Sequence, residues 1–139
     1  IESCTGGLAS SWISSFNGSS SWFEGSLVTY SNRMKNIFLK ISEKELLTHG
    51  AVSDQVASSM ANSLLKQKVE NIVTSSITGI AGPSGGSQKK PVGLVFFGWA
   101  GPWGVDTSHK KFTGNRQQIR EEAAKYAIIN LAKRVAVNL

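Results

Sequence analysis

Apolar residues recur at helical spacing most clearly after Ser53, where Val56, Ala57, Met60, Ala61, Leu64 and Leu65 form one stripe and serines, Asn62 and Lys66 fill the other side. Ser53 is a good N-cap residue, so a long core helix is expected there. A second stripe, Ile119, Ala123, Tyr126, Ala127, Leu131 and Val135, follows Asn115 with Gln118 three residues on, and predicts a final helix. Ser42 with Glu45 repeats that spacing and places a short helix over 42–48, stopped by His49-Gly50. Another short helix is expected over 8–16, opened by the Thr5-Gly6-Gly7 turn, and one more, capped by Asn32, carries Lys35. Aromatic and β-branched residues over 22–30, 72–78, 92–99 and 105–112 predict strands, the last two joined as a hairpin through Gly101-Pro102-Trp103-Gly104.

Helices alternating with strands give the α/β class, and the late hairpin makes the expected architecture a three-layer α/β/α domain with a mixed β-sheet. Ile1 reads as the end of a buried strand with no initiator methionine before it. The expectation is a single domain over 1–139 lacking a native N-terminal helix and strand.

Composition narrows the class. With 139 residues, 40% hydrophobic and 17% charged, the chain fits one globular domain rather than a disordered segment. Its net charge of +6 comes in separated pairs, Lys89-Lys90, Lys110-Lys111 and Lys133-Arg134, with no arginine-rich stripe. Nucleic acid is therefore not the expected partner, and a small anion is. Cys4 is the only cysteine, which excludes an internal disulfide and a Cys-based zinc site and fits a reducing, cytoplasmic location. The longest apolar run, 92–100, is broken by two glycines and is shorter than the ~20 residues of a membrane span, so no membrane association is expected.

Three polar blocks carry candidate chemistry: Glu2-Ser3-Cys4-Thr5-Gly6-Gly7, Tyr30-Ser31-Asn32-Arg33-Met34-Lys35 and the glycine-rich run from Thr78 to Gly86. Ser3 at a strand-to-helix corner is a candidate nucleophile, and it needs a base. His49 and His109 lie beside no convincing acid, which leaves Lys35, provided that burial or a neighbouring charge keeps it neutral. Tyr30 could relay a proton or hold that lysine. N–H groups of Thr5, Gly6 and Gly7 could stabilise an oxyanion near Ser3, and the Gly79–Gly86 loop could cradle a phosphate, although it lacks the lysine-serine ending of a P-loop. Arg116 and Arg120 at a helix start are unfavourable for the helix dipole and point to an anion. For each group the alternative is ordinary structure: a solvated lysine, a core tyrosine, a plain turn, exposed arginines. Cys4 is a rival nucleophile without an assisting histidine. No metal-ligand spacing occurs, and the chemistry needs no metal or organic cofactor.

Read together, Glu2 to Gly7, Gly18-Ser19-Ser20-Ser21-Trp22-Phe23-Glu24-Gly25, Val28 to Asn32, Lys35, His49 to Ser53, Thr78 to Pro83 and Lys90-Pro91-Val92-Gly93 resemble the CinA C-terminal domain family from the first residue to the last helix. The resemblance implies a nicotinamide-nucleotide amidase that converts nicotinamide mononucleotide (NMN) to nicotinic acid mononucleotide and ammonia in pyridine nucleotide salvage. It also implies Ser3 as nucleophile, Lys35 as general base and Tyr30 as a partner in proton transfer. Its substrate-binding segments match Thr78 to Gly82 and Gly114-Asn115-Arg116, and the substrate-binding residues expected are Thr5, Gly6, Gly7, Asn32, Thr78, Gly79, Gly82, Arg116 and Arg120. Asn115 stands where the family usually has aspartate, a departure that bears on the orientation of Arg116. A homo-oligomer is implied, with the aromatic content near Trp22, Trp99 and Trp103 available for an interface. The alternatives are a non-catalytic nucleotide-binding or regulatory module, and a DNA-associated role that would show steep salt dependence.

Overall fold

A computed structural model describes residues 1–69 and 71–139. The described elements are α1 (Leu8–Ser14), a 3₁₀ turn (Ser19–Ser21), α2 (Asn32–Leu39), α3 (Glu43–His49), α4 (Asp54–Lys66), β1 (Thr74–Gly79), β2 (Leu94–Gly101), β3 (Gly104–Lys111) and α5 (Arg116–Asn138). Local capping decides most helix starts. The hydroxyls of Ser31, Ser42 and Ser53 accept from Met34, Glu45 and Val56 N–H at the starts of α2, α3 and α4, and Asn115 forms a full capping box with Gln118 at α5. Asn32 is thus the first residue of α2 rather than its cap, since the Ser31 hydroxyl already occupies that role.

The sheet runs β1-β2-β3, antiparallel throughout, with α4 on one face and α5 on the other, backed by α2 with α3 and by α1 respectively. The α/β class and the helix layers on both faces match the expectation. Parallel pairing is confined to single-residue bridges from Glu2 to Val28 and to Ile77, so a regular mixed sheet is not formed. The expected strand at 22–30 is also absent: only the stretch around Val28 has an edge to pair with, and Trp22 is 60% exposed.

The two faces differ in chemistry. Toward α5, Ile77, Val95, Phe97 and Trp99 pack with Ile119, Ala123 and Ala127. Trp99 is fully buried, its indole N–H donating to the Ala127 carbonyl, so it is no interface residue. Toward α4, the hydroxyls of Thr74, Ser76 and Thr78 donate to the carbonyls of Ala61, Ala57 and Ala51. These bonds draw α4 close to the sheet at Gly98, where a Cβ would lie 2.5 Å from the Ala57 carbonyl oxygen and 2.8 Å from Ser76 Oγ. Leu39, Ile41, Leu46, Val56 and Met60 complete a smaller apolar cluster on that side. No helix among the described residues is long and apolar enough to cross a membrane.

Gly98→Ala is expected to destabilise the fold by about 1–3 kcal/mol, because α4 must move off the sheet to admit the methyl group. Urea unfolding checks this; an unchanged midpoint would contradict so tight a contact.

Candidate active site

Residues 1–3 enter the fold between two backbone partners. Glu2 N–H donates to Leu27 O and Thr29 N–H to Glu2 O, while Ile77 N–H donates to Ile1 O and Ser3 N–H to Ile77 O. Ser3 therefore sits beside the C-terminal end of β1, where the chain turns into α1. Ligand crevices of open α/β sheets form at strand ends of this kind.

The turn is organised by a buried anion. Glu2 accepts from the Thr5 hydroxyl (2.6 Å) and from the N–H groups of Gly7 (3.0 Å), Ala9 (3.2 Å) and Ser10 (2.8 Å). Burial opposes ionisation of this carboxyl, but the hydrogen bonds from Thr5, Ser10 and Ala9 outweigh it and hold its pKa below the ordinary value. Gly6 N–H donates to Ser3 O, and both Gly6 and Gly7 have positive φ (61° and 99°), a backbone that glycine adopts without strain. The N–H groups of Gly6 and Gly7 are thus occupied within the protein. Those of Cys4 and Thr5 donate to no other residue among the described residues, the Cys4 N–H lying against its own thiol.

Lys35 lies on the inner face of α2, one turn before Leu39, and is 1% exposed. Its Nζ is 2.9 Å from Ser3 Oγ, 2.8 Å from the Thr29 carbonyl and 3.2 Å from the Tyr30 carbonyl. No carboxylate pairs with it among the described residues. Desolvation consequently lowers its pKa to about 8. Nζ donates to all three oxygens, and Ser3 Oγ donates in turn to the Tyr30 carbonyl (3.3 Å); on losing its proton the amine keeps two N–H donors for the carbonyls and gains a lone pair for the Ser3 hydroxyl. Cys4 is also buried, but burial pushes its thiol up to about 11, so it is a thiol, not a thiolate, at neutral pH.

Ser3, Lys35 and Tyr30 line a cleft of about 270 Å³ with Cys4, Ala51, Val52, the stretch Thr78–Gly82, Ser84, Gly85 and Arg116. Tyr30 brings its carbonyl, not its phenol, to Ser3 and Lys35. The phenol oxygen instead accepts from Arg116 Nη2 (3.0 Å), and Arg116 Nη1 donates to Gly82 O (2.6 Å). Asn115 is taken up by its cap and makes no bond to Arg116 among the described residues. Thr78 Oγ1 donates to Ala51 O and ties the cleft floor to the start of α4. Arg120 and Asn32 do not line the cleft. His109 meets Asp54 at 3.8 Å on the surface, outside it. Sequence reasoning assigned no role to Glu2 and overlooked the free Cys4 N–H. A carboxylate followed by a short run of turn and helix-start N–H groups was the available signal.

The chain is similar to known proteins over most of its length. The family described as CinA C-terminal domain matches residues 1–135, and the chain belongs to that family. A protein named nicotinamide-nucleotide amidohydrolase PncC from Enterobacter agglomerans is 46% identical over 128 residues, 91% of this chain and 77% of that protein. A CinA-like protein of Leptospira biflexa is 48% identical over 92% of this chain, which spans only 31% of that longer relative. Among solved structures, a competence/damage-inducible protein from Agrobacterium tumefaciens superposes with a TM-score of 0.89 at 36% identity, covering 99% of this chain and 82% of that one.

Glu2→Gln is expected to cost about 2–3 kcal/mol at neutral pH, since an amide cannot accept at both ends. The Glu2 carboxyl has a depressed pKa when folded, so its contribution is present above the unfolded-state pKa and fades as pH falls through the folded one. Urea unfolding of both proteins should show the gap closing on acidification; a pH-independent gap would contradict this role.

Proposed function

We propose that this member of the CinA C-terminal domain family is a nicotinamide-nucleotide amidase, hydrolysing NMN to nicotinic acid mononucleotide and ammonia within pyridine nucleotide salvage. The observation that carries the reading is a buried lysine amine with a lowered pKa, 2.9 Å from a serine hydroxyl at the edge of a cleft. The name of the Enterobacter agglomerans relative supports the substrate.

In the proposed reaction neutral Lys35 takes the Ser3 proton as Oγ attacks the carboxamide carbon. The two backbone carbonyls on Lys35 hold its nitrogen in place and stabilise the ammonium that forms. The oxyanion is received by the N–H of Cys4, a residue lining the cleft, with Thr5 N–H as second donor. Collapse breaks the C–N bond, and the leaving nitrogen takes the proton from Lys35 and departs as ammonia. Water then adds to the acyl-Ser3 ester, giving a proton to Lys35; this proton returns to Ser3 Oγ as nicotinic acid mononucleotide leaves. Transfer is direct, because the Tyr30 phenol is engaged with Arg116. That phenol holds Arg116 over the Gly82 carbonyl, at the end of the cleft suited to the phosphate. No cofactor enters the scheme.

On NMN, Lys35→Ala should lower kcat by about 10²–10⁴-fold and Ser3→Ala by at least as much, with folding retained. The protonated amine cannot act as base, so kcat/KM of the unsubstituted protein should rise with pH through about 8 and then level off. Ammonia release across pH checks both. NMN binding without turnover would make the protein a nucleotide-binding module instead.

A further inference from the structure

Arg120 was expected at the substrate's anion, yet its donors point into the protein. It stands on the second turn of α5, where Nε donates to Cys4 O (3.2 Å), Nη2 to Thr5 O (2.9 Å) and Nη1 to Gln117 Oε1 (2.9 Å). The planar guanidinium fork thus holds two successive carbonyls of the nucleophile's turn. In a trans peptide the N–H points opposite to the C=O. Gripping Cys4 O therefore turns Thr5 N–H away from Arg120. The preceding peptide is fixed in the same way by Gly6 N–H on Ser3 O, which sets the direction of Cys4 N–H. Within this turn the N–H groups of Cys4 and Thr5, which donate to no other described residue, belong to peptides held through their carbonyls, as does that of Gly6, which is spent on Ser3 O. A Cβ at Gly6 would stand 3.7 Å from Arg120 Nη2, an ordinary contact, so the turn favours glycine there through its φ of 61° and not through the room the guanidinium needs. The charge is felt at the turn as well: burial raises the Cys4 thiol, and Arg120 is among the charges that oppose it.

We infer that Arg120 is a positioning residue for the oxyanion site, clamping the Cys4 and Thr5 carbonyls so that their turn presents free N–H groups beside Ser3, and that it does not bind the substrate's phosphate. The inference rests on the amidase reading of Ser3 given above. A donor set of this kind stabilises a transition state only if its peptides are held before the reaction starts. Displacement by about 1 Å can cost ~10²-fold in rate.

The test measures Arg120→Met and Arg120→Lys on NMN and on its phosphate-free nucleoside. In parallel it follows labelling of Ser3 by a small fluorophosphonate, which forms the Oγ–P bond, expels fluoride and places a phosphoryl oxygen at the oxyanion position. Arg120→Met should lower kcat by about 100-fold on both substrates. It should leave KM and the ascending pH limb unchanged and slow labelling by a similar factor. Arg120→Lys, with one ammonium for two carbonyls, should recover only part of the rate and serves if the methionine variant does not fold. A raised KM for NMN with loss of its advantage over the nucleoside would overturn the inference in favour of a phosphate contact. Unchanged kcat and labelling with a lowered Tm would overturn it in favour of a structural strut. Absence of NMN turnover in the unsubstituted protein would remove the substrate reading, while Arg120-dependent labelling would still sustain this one.

Discussion

An amine sealed from water, with no carboxylate among the described residues to neutralise it, is the constraint around which the site is organised. Lys35 lies on the inner face of α2 where the helix pattern calls for an apolar side chain, and desolvation lowers its pKa to about 8. Removing a cation from water is unfavourable, and for lysine loss of the proton relieves that cost. The Thr29 and Tyr30 carbonyls fix the nitrogen without adding negative charge. A carboxylate in their place would bind the amine more tightly and make it useless as a base. Placing backbone acceptors there requires residues 27–30 to run beside residues 1–3, which the bridge between Glu2 and Val28 secures.

Glu2 and Arg120 act on the same turn from opposite chemistries. The carboxylate collects N–H groups at the start of α1, and the guanidinium collects carbonyls from Cys4 and Thr5. Among the described residues, the N–H groups of this turn that donate to no other residue are those of Cys4 and Thr5, next to Ser3. Buried N–H groups without partners are rare in folded proteins, and this exception is what supports the proposed oxyanion site. Arg116 forms a separate pair with Tyr30 in the cleft lining, so the arginines on the first two turns of α5 make different contacts, Arg116 in the cleft and Arg120 on the turn.

Features set by neighbours in sequence were readable before the structure. The caps at Ser42, Ser53 and Asn115, the α4 stripe and the β2–β3 hairpin depend on spacings of a few residues. The candidates Ser3, Lys35, Thr78 and Arg116 were readable as residue types, and their resemblance to a family placed them together. What was not readable depends on direction. Nothing in the sequence says that Tyr30 turns its carbonyl to Lys35 and its phenol to Arg116, or that the N–H groups of Gly6 and Gly7 face inward. The stretch 22–30 has strand-like composition, but a strand needs an edge, and only the few residues opposite Glu2 find one. Asn32 and Ser31 are equally good caps by type, and backbone geometry chose the serine.

The ionisation of Lys35 can be observed without any substrate. With lysines labelled at the ε-carbon, the resonance lost in Lys35→Met is followed by NMR across pH. A midpoint near about 8 is the predicted result, because an amine with that value is substantially neutral when it faces the Ser3 hydroxyl at mildly basic pH. A midpoint at the ordinary lysine value of about 10.4 would contradict it, leaving a permanently charged side chain where the proposed reaction needs a base.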